Sequence, residues 1–308
     1  MTQLKLRIPY VLDFPTVVEE NLLVLSFVDP EIVYKNPTFS NLNIDSLRPY
    51  LDFVNEDEEC DFIHFPWKFN PMVNYSNIVK YAQSKNKKIL FFFNDDLETP
   101  FELPNSILLR TSFDTRHQNT STFAWPAFCE DLVKRYGRYP PREKCEVPVI
   151  GFCGCYSRGI REKVVNFVKT TNLHTNFIIR DNFWAGDTWG KRVRQEYVDN
   201  IQSSDYTLCM RGGGNFSYRF FETLCLGRIP IFIDSYTPIP FKELTGIEKL
   251  IPCIHEDNID KLPEVVLDHW NNIGDYADLQ KTLRNIWLEY YSPLGAIKSL
   301  IKIKEQLL

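Results

Sequence analysis

Residues 205–234, DYTLCMRGGGNFSYRFFETLCLGRIPIFID, contain the pattern that decides the fold. The apolar run at 205–210 is short and includes a β-branched residue, which is typical of a buried strand. The next four residues, 211–214, are an arginine and three consecutive glycines, which remove side chains where the chain must turn. This part of the sequence therefore predicts a strand that ends in a glycine loop.

A helix and a second strand are expected to follow the glycine loop. Asn215 and Ser217 both favour the first position of a helix, because their side chains can accept from free backbone N–H groups. Gly227 suits the left-handed position that follows the last turn of a helix. The apolar run at 229–234 then reads as a second buried strand. The whole stretch predicts a strand, loop, helix and strand in that order.

The start of this helix has the properties of an anion-binding site. A helix N-terminus presents free N–H donors and a positive dipole end, and Arg211 and Arg219 add full charges nearby. Arg219 and Glu222 are three residues apart and share one helix face, where they could bind phosphate oxygens and ribose hydroxyls. The alternative is an ordinary exposed ion pair between these two side chains.

The same residues resemble the signature of the exostosin-type glycosyltransferases. In that signature a strand and glycine loop precede S-x-R-x-x-E, a G-x-x-P turn and an apolar strand that ends near P-F. The strand at 60–67 resembles a further exostosin pattern, and the resemblance extends over residues 60–245. The residues that carry the main match are Arg219, Glu222, Gly227, Pro230, Asp234, Pro240 and Phe241.

The resemblance implies a nucleotide-sugar donor, most simply a UDP-sugar, and transfer of its hexose or pentose to a hydroxyl of a glycan acceptor. A strand at 149–152 followed by an arginine that opens a helix is similar to another exostosin pattern and adds candidates to the donor site. The candidate donor-binding residues are Gly154, Arg158, Arg161, Arg211, Gly213, Asn215, Ser217, Tyr218, Arg219 and Glu222.

Strands alternate with helices on both sides of a proline-rich segment at 135–148, RYGRYPPREKCEVP, which reads as a linker. The fold class expected is α/β, with two doubly wound Rossmann-like domains facing a cleft, the arrangement called GT-B in glycosyltransferases. The expected boundaries are an acceptor-side domain at 1–145 and a nucleotide-sugar domain at 146–275. C-terminal helices at 276–308 could pack back on the first domain.

The chain has no Asp-x-Asp triplet of the kind that holds a metal in the alternative GT-A fold. We therefore expect metal-independent chemistry without a cofactor, in which arginines neutralise the leaving diphosphate. The exostosin resemblance implies an inverting transfer assisted by one general base. Asp95 and Asp96 are the first candidates because they follow a strong strand, His64 is the second and Asp13 the third.

Composition limits the partners. The 308 residues are 44% hydrophobic, with a net charge of −5 and a pI near 5.7, so no general basic field attracts nucleic acid. The sequence has no apolar run of membrane-spanning length and no signal-peptide core, and its eight cysteines are scattered. We expect a cytoplasmic protein with reduced cysteines, no transmembrane segment and no nucleic-acid partner.

Two other interpretations remain open. The α1,3-fucosyltransferases combine a two-Rossmann fold with a Ser-Tyr-x-x-Glu helix, of which Ser217, Tyr218 and Glu222 form a looser version; the donor would then be GDP-fucose. The chain could also be a nucleotide- or carbohydrate-binding protein without transfer activity. Slow hydrolysis of a nucleotide sugar would distinguish an enzyme from a binding protein.

Overall fold

The structure, a computed structural model, describes residues 2–7, 46–137, 140–156, 159–182 and 191–308. The chain forms two compact units, and each contains segments that are distant in sequence. The first unit comprises residues 1–130, 238–241 and 289–308, and the second comprises residues 131–237 and 242–288.

The strands are β1 (Leu4–Arg7), β2 (Leu51–Phe53), β3 (Phe62–Lys68), β4 (Ile89–Phe93), β5 (Ser106–Arg110), β6 (Thr122–Ala124), β7 (Val149–Cys155), β8 (His174–Arg180), β9 (Tyr206–Cys209), β10 (Ile229–Asp234) and β11 (Cys253–His255). The α-helices are α1 (Ser76–Ser84), α2 (Leu132–Tyr136), α3 (Ile160–Lys169), α4 (Lys191–Gln202), α5 (Tyr218–Cys225), α6 (Lys242–Thr245), α7 (Leu262–Asn272), α8 (Tyr276–Ile286) and α9 (Pro293–Leu307). Strands and α-helices alternate from β7 to α7, whereas β4, β5 and β6 follow one another without an α-helix between them and the chain ends in three consecutive helices.

The first unit is built on a sheet with the strand order β2-β1-β3-β4-β5-β6, in which all described pairings are parallel. All five residues of β4 are buried, because alternate side chains enter two cores on opposite faces. Phe91 packs in one core with Ile78 of α1, and Phe92 packs in the other with Leu300 of α9. The sheet is therefore covered by a helix on each face.

The second unit has the strand order β11-β10-β9-β7-β8, and its described pairings are also parallel. Apolar side chains of α3, α4, α5 and α7 are buried in this unit, with Val164, Val198, Leu224 and Trp270 at most 1% exposed. Because parallel strands need crossover helices, both faces are covered here as well. The α/β class with two doubly wound parallel sheets is confirmed, and the cleft between them stays a prediction.

The stretch at 205–234 folds as expected. Strand β9 precedes the glycine loop, α5 ends at Cys225, and β10 spans Ile229–Asp234. Gly227 has φ +60° and donates its backbone N–H to the carbonyl of Leu224. This is the left-handed position predicted for it, and it terminates the helix.

The proline-rich segment at 135–148 lies within the second unit. Arg142 from this segment donates its Nε to Asp205 at 2.8 Å, and Asp205 also accepts from the backbone N of Val149 and the hydroxyl of Tyr276. These bonds attach the segment to the sheet of the second unit. The chain passes from the first unit to the second near Asp131, and its last helix, α9, belongs to the first unit.

The described helices are each too short or too polar to cross a membrane. In the same part of the chain, no cluster of three or more His, Cys, Asp or Glu side chains is arranged to hold a metal ion. The eight cysteines all lie within the described residues and form no disulfide there, and five of them are buried.

His64, the second candidate base, lies in the middle of β3 and is fully buried. Its Nδ1 is 3.2 Å from the carbonyl oxygen of Leu90, and its ring contacts Phe92 edge-on. Burial lowers the pKa of His64 to about 3, so the ring is neutral at physiological pH. This environment is that of a core histidine.

The buried His64 predicts acid sensitivity. In the unfolded chain His64 is protonated below about pH 6.5, whereas in the folded protein it stays neutral down to about pH 3. The contribution of His64 to the free energy of unfolding is therefore fully present above pH 6.5 and is lost as the pH falls below that value. We expect this histidine to contribute a loss of about 2 kcal/mol between pH 7 and pH 4.5. Urea unfolding of the wild type and of His64→Leu measures the difference, because the variant lacks this term.

His174→Gln, which changes an exposed histidine, serves as the control and should follow the wild-type pH dependence. Parallel pH profiles for the wild type and His64→Leu would contradict the assignment.

Candidate functional site

The strand order of the second unit contains a topological switch point, the place where open α/β sheets form a crevice. Strands β7 and β9 are neighbours, with Gly151 opposite Thr207, but the chain leaves β7 towards β8 and leaves β9 towards β10. In open α/β sheets ligands bind at the carboxyl ends of two strands whose connections diverge in this way. The segments that follow β7 and β9 contain most of the predicted donor-site residues.

The glycine loop after β9 is compact. The backbone N of Gly212 donates to the carbonyl of Phe216 at 3.0 Å, which closes the loop before α5 begins. A Cβ placed on Gly212 would lie 3.2 Å from Nη2 of Arg161, so glycine permits the arginine to approach the backbone. Gly213 is exposed at the tip of the loop.

Asn215 binds the neighbouring loop. Its Nδ2 donates to the carbonyls of Ser235 and Tyr236 at 3.1 Å each, and its Oδ1 accepts from the hydroxyls of Ser235 and Thr237. Tyr236 has φ +59°, an unusual conformation for a residue with a side chain. Asn215 thus joins the loops that follow β9 and β10, while Ser217 occupies the N-cap position of α5 without a side-chain cap bond.

Arg219 is buried beside the crevice, with 8% of its surface exposed. Its Nη2 donates to the carbonyl of Cys153 at 2.6 Å and its Nη1 to that of Leu208 at 3.4 Å. The guanidinium lies 4.4 Å from the ring centre of Phe152 and 5.6 Å from that of Tyr197. Within the described residues no carboxylate pairs with Arg219, and its buried Nε has no hydrogen-bond partner.

Arg161 adds a second charge at the same place. Its Nε donates to the carbonyl of Arg211 at 3.0 Å and its Nη1 to that of Cys155 at 3.4 Å. Burial and, after it, the nearby positive charge of Arg219 together lower the pKa of Arg161 to about 10. With this pKa, the guanidinium of Arg161 is still charged at neutral pH. The buried guanidinium of Arg219 and the half-buried guanidinium of Arg161 carry like charges, and such a pair favours the binding of an anion beside it.

Glu222 has a different partner from the one its spacing suggests. Its Oε1 accepts from Nη2 of Arg194 at 2.6 Å, and its Oε2 accepts from the hydroxyl of Tyr197. Both partners lie on α4. Glu222 and Arg219 are both buried, so the alternative of an exposed ion pair between them is wrong. The charge of Glu222 is offset by Arg194.

Arg194 and Tyr197 contact the predicted donor-site residue Glu222 and were not identified from the sequence. They are three residues apart on α4, the same spacing that drew attention to Arg219 and Glu222. That spacing indicates a shared helix face. It does not indicate which other helix the face meets.

The remaining donor-site candidates lie in different environments. Gly154, at the end of β7, has φ +151°, and a Cβ there would lie 3.0 Å from Nη2 of Arg219. Tyr218 is 44% exposed and contacts Phe216 edge-on at 5.2 Å. Arg211 is partly buried in the glycine loop. Arg158 lies outside the described residues.

In the first unit, Asp95 and Asp96 follow β4 as expected. Asp95 is partly exposed, and its Oδ1 accepts from the backbone N of Leu97 at 3.0 Å, while Asp96 is exposed. Buried Arg110 supports their loop by donating to the carbonyls of Leu97 and Thr99. Asp13, the third candidate base, lies outside the described residues.

A family model and a solved structure are similar to parts of this chain. The family model described as "RXYLT1 C-terminal domain" matches residues 146–283, a little under half of the 308 residues. No curated protein matches the chain. Among solved structures, "Crystal structure of GtfA/B complex" is similar over 90% of this chain, with 11% identity and a TM-score of 0.34; this chain covers 55% of the length of that one. The family match supports a glycosyltransferase.

Proposed function

We propose that this protein is a glycosyltransferase that binds the diphosphate of a nucleotide-sugar donor in its second unit. The observation that carries the proposal is the buried guanidinium of Arg219, which has no carboxylate partner among the described residues. It lies beside Arg161, the glycine loop and the start of α5, at the carboxyl ends of β7 and β9. Carbonyls and aromatic rings offset part of the cost of burying this charge, and the negative charge of a diphosphate would offset the rest.

The proposed reaction transfers the sugar with inversion. The acceptor hydroxyl attacks the anomeric carbon, the bond from that carbon to the diphosphate oxygen breaks, and a general base takes the hydroxyl proton. The electron pair stays on the leaving diphosphate, where Arg161 and Arg219 stabilise the added negative charge. Asp95 and Asp96 stay the candidates for the base. His64 is the weaker candidate, because its ring lies within a core.

The sugar and nucleotide are part of the proposal. The exostosin resemblance and the match to a family model of a xylosyltransferase favour a UDP-sugar, with a pentosyl donor such as UDP-xylose first. GDP-fucose is the alternative donor, and binding without transfer is the alternative activity. A thermal-shift screen of UDP- and GDP-sugars, followed by assays of donor hydrolysis, distinguishes these cases. The acceptor is proposed to be a glycan hydroxyl, and the cytoplasmic location stays a prediction.

Replacing Arg219 tests the diphosphate site. We expect Arg219→Ala to lower turnover of the donor by roughly 10²-fold, because the side chain meets the charge that develops on the leaving group. Arg219→Lys should recover little of this loss, since an ammonium cannot reproduce the planar guanidinium. Turnover, donor KM and melting temperature are measured for both variants.

Arg192→Ala is the matched control, because it also removes one positive charge from this unit but at a side chain that is 90% exposed. Normal kinetics in Arg219→Ala would end the assignment of the diphosphate site.

Gly154→Ala tests the same site through the backbone. The added Cβ would lie 3.0 Å from Nη2 of Arg219 at a residue with φ +151°, so the arginine must shift. We expect UDP affinity to fall about tenfold and stability to fall by about 1 kcal/mol. Gly137→Ala is the control, because φ is +63° there and no atom lies within 4 Å of the added Cβ. Calorimetric titration and thermal unfolding separate the two effects; equal UDP affinity in both variants would argue against the site.

Metal independence is tested with chelators. Since fixed guanidinium groups are proposed to neutralise the leaving diphosphate, transfer should continue at an unchanged rate in excess EDTA. Activity that is lost in EDTA and recovered with Mn²⁺ or Mg²⁺ would show that carboxylates in the site are metal ligands instead.

A further inference from the structure

Glu222 is enclosed by protein groups. Its side chain is 8% exposed, one oxygen accepts from Arg194 and the other from the hydroxyl of Tyr197. In the ion pair of Arg194 and Glu222, Arg194 is the more exposed partner, at 31%. Each oxygen of Glu222 already accepts from a residue of α4, and the side chain is 8% exposed, so little of either oxygen is open to a sugar hydroxyl.

Tyr197 connects Glu222 with Arg219. Its hydroxyl is bound to Glu222, and its ring lies 5.6 Å from the guanidinium of Arg219. The ring of Phe152 lies 4.4 Å from the same guanidinium, so two aromatic rings contact one cation. Burial raises the pKa of Tyr197 well above 10, and the charge of Glu222 raises it further. The phenol is therefore protonated and donates to Glu222, which fixes the ring.

Arg194 completes the network by offsetting the charge of Glu222. The salt bridge from Arg194 to Glu222 is 2.6 Å long, and the guanidinium of Arg194 lies 5.1 Å from the ring of Tyr197. Because Glu222 is already paired, its charge does not compensate Arg219. The positive charge of Arg219 is thus kept available for a ligand. The position of its guanidinium is set by the ring of Tyr197, whose hydroxyl is bound to Glu222.

We propose that Glu222 and Tyr197 are positioning residues that hold Arg219 for the donor diphosphate, and that Glu222 does not bind the donor ribose. The inference rests on the proposed function for the identity of the ligand. The placement of Arg219 by Tyr197 and Glu222 can be measured without any ligand.

The first experiment follows the Nε–H hydrogen of Arg219 by NMR in the full chain, with the signal assigned by its absence in Arg219→Lys. In the wild type this hydrogen is buried. We expect its exchange with water to accelerate at least about tenfold in Tyr197→Leu and Glu222→Ala. Tyr197→Phe, which keeps the ring but loses the hydroxyl, should show a smaller acceleration. Gln195→Ala, on the same helix and bonded to Asp199, is the control and should resemble the wild type. An unchanged Arg219 signal in all Tyr197 and Glu222 variants would overturn the proposal.

The second experiment compares the affinities for UDP and for inorganic pyrophosphate, which lacks the ribose. If Glu222 acts through Arg219, Glu222→Ala and Tyr197→Leu should each weaken both ligands by the same factor, about tenfold, the size of a desolvated cation–π contact. If Glu222 instead binds ribose, Glu222→Ala weakens UDP and leaves pyrophosphate unaffected, and the proposal is rejected. A wild type that binds neither UDP, GDP nor pyrophosphate refutes the proposed function, and the NMR measurement then decides the placement of Arg219 by itself.

Discussion

The burial of the Arg219 charge is the constraint on which the second unit's site depends. A guanidinium removed from water without a carboxylate costs several kcal/mol unless other groups compensate it. Here the carbonyls of Cys153 and Leu208 accept its hydrogens, and two aromatic rings cover its faces. This arrangement requires an aromatic side chain at Phe152 and no side chain at Gly154. The residue types at positions 152 and 154 are therefore explained by the side chain of Arg219.

The local part of this arrangement could be predicted from the sequence. Apolar runs, glycines and cap residues act over a few neighbouring positions, so β9, the glycine loop, β10 and the end of α5 before Gly227 were predicted within one or two residues. The α/β class follows from the same alternation of short signals. Arg161 and Arg219 were also identified, because each is near the start of a helix that follows a strand end.

The rest depends on contacts between distant segments, which no local pattern encodes. Arg194 and Tyr197 reach Glu222 across 28 and 25 residues. Asn215 is of a residue type that commonly caps helices, but its side chain binds a loop about 20 residues further along the chain. An apolar helix face is equally suited to either sheet, so the sequence offers the packing of the helices at 276–308 on the first domain only as one possibility. The spacing of residues in the sequence identifies candidates for a site, whereas the packing of distant segments determines which residues they contact.

The return of α9 to the first unit has a consequence for how the protein is made. Ala296, Leu300 and Leu307 complete the core that Leu4 and Leu6 begin. The early strands leave the ribosome well before α9 is synthesised. Until then one face of the first unit's sheet is exposed, while the second unit can already fold. Exposed apolar strands are prone to aggregate during that interval. Truncation near the C-terminus should therefore harm the half of the molecule that is translated first.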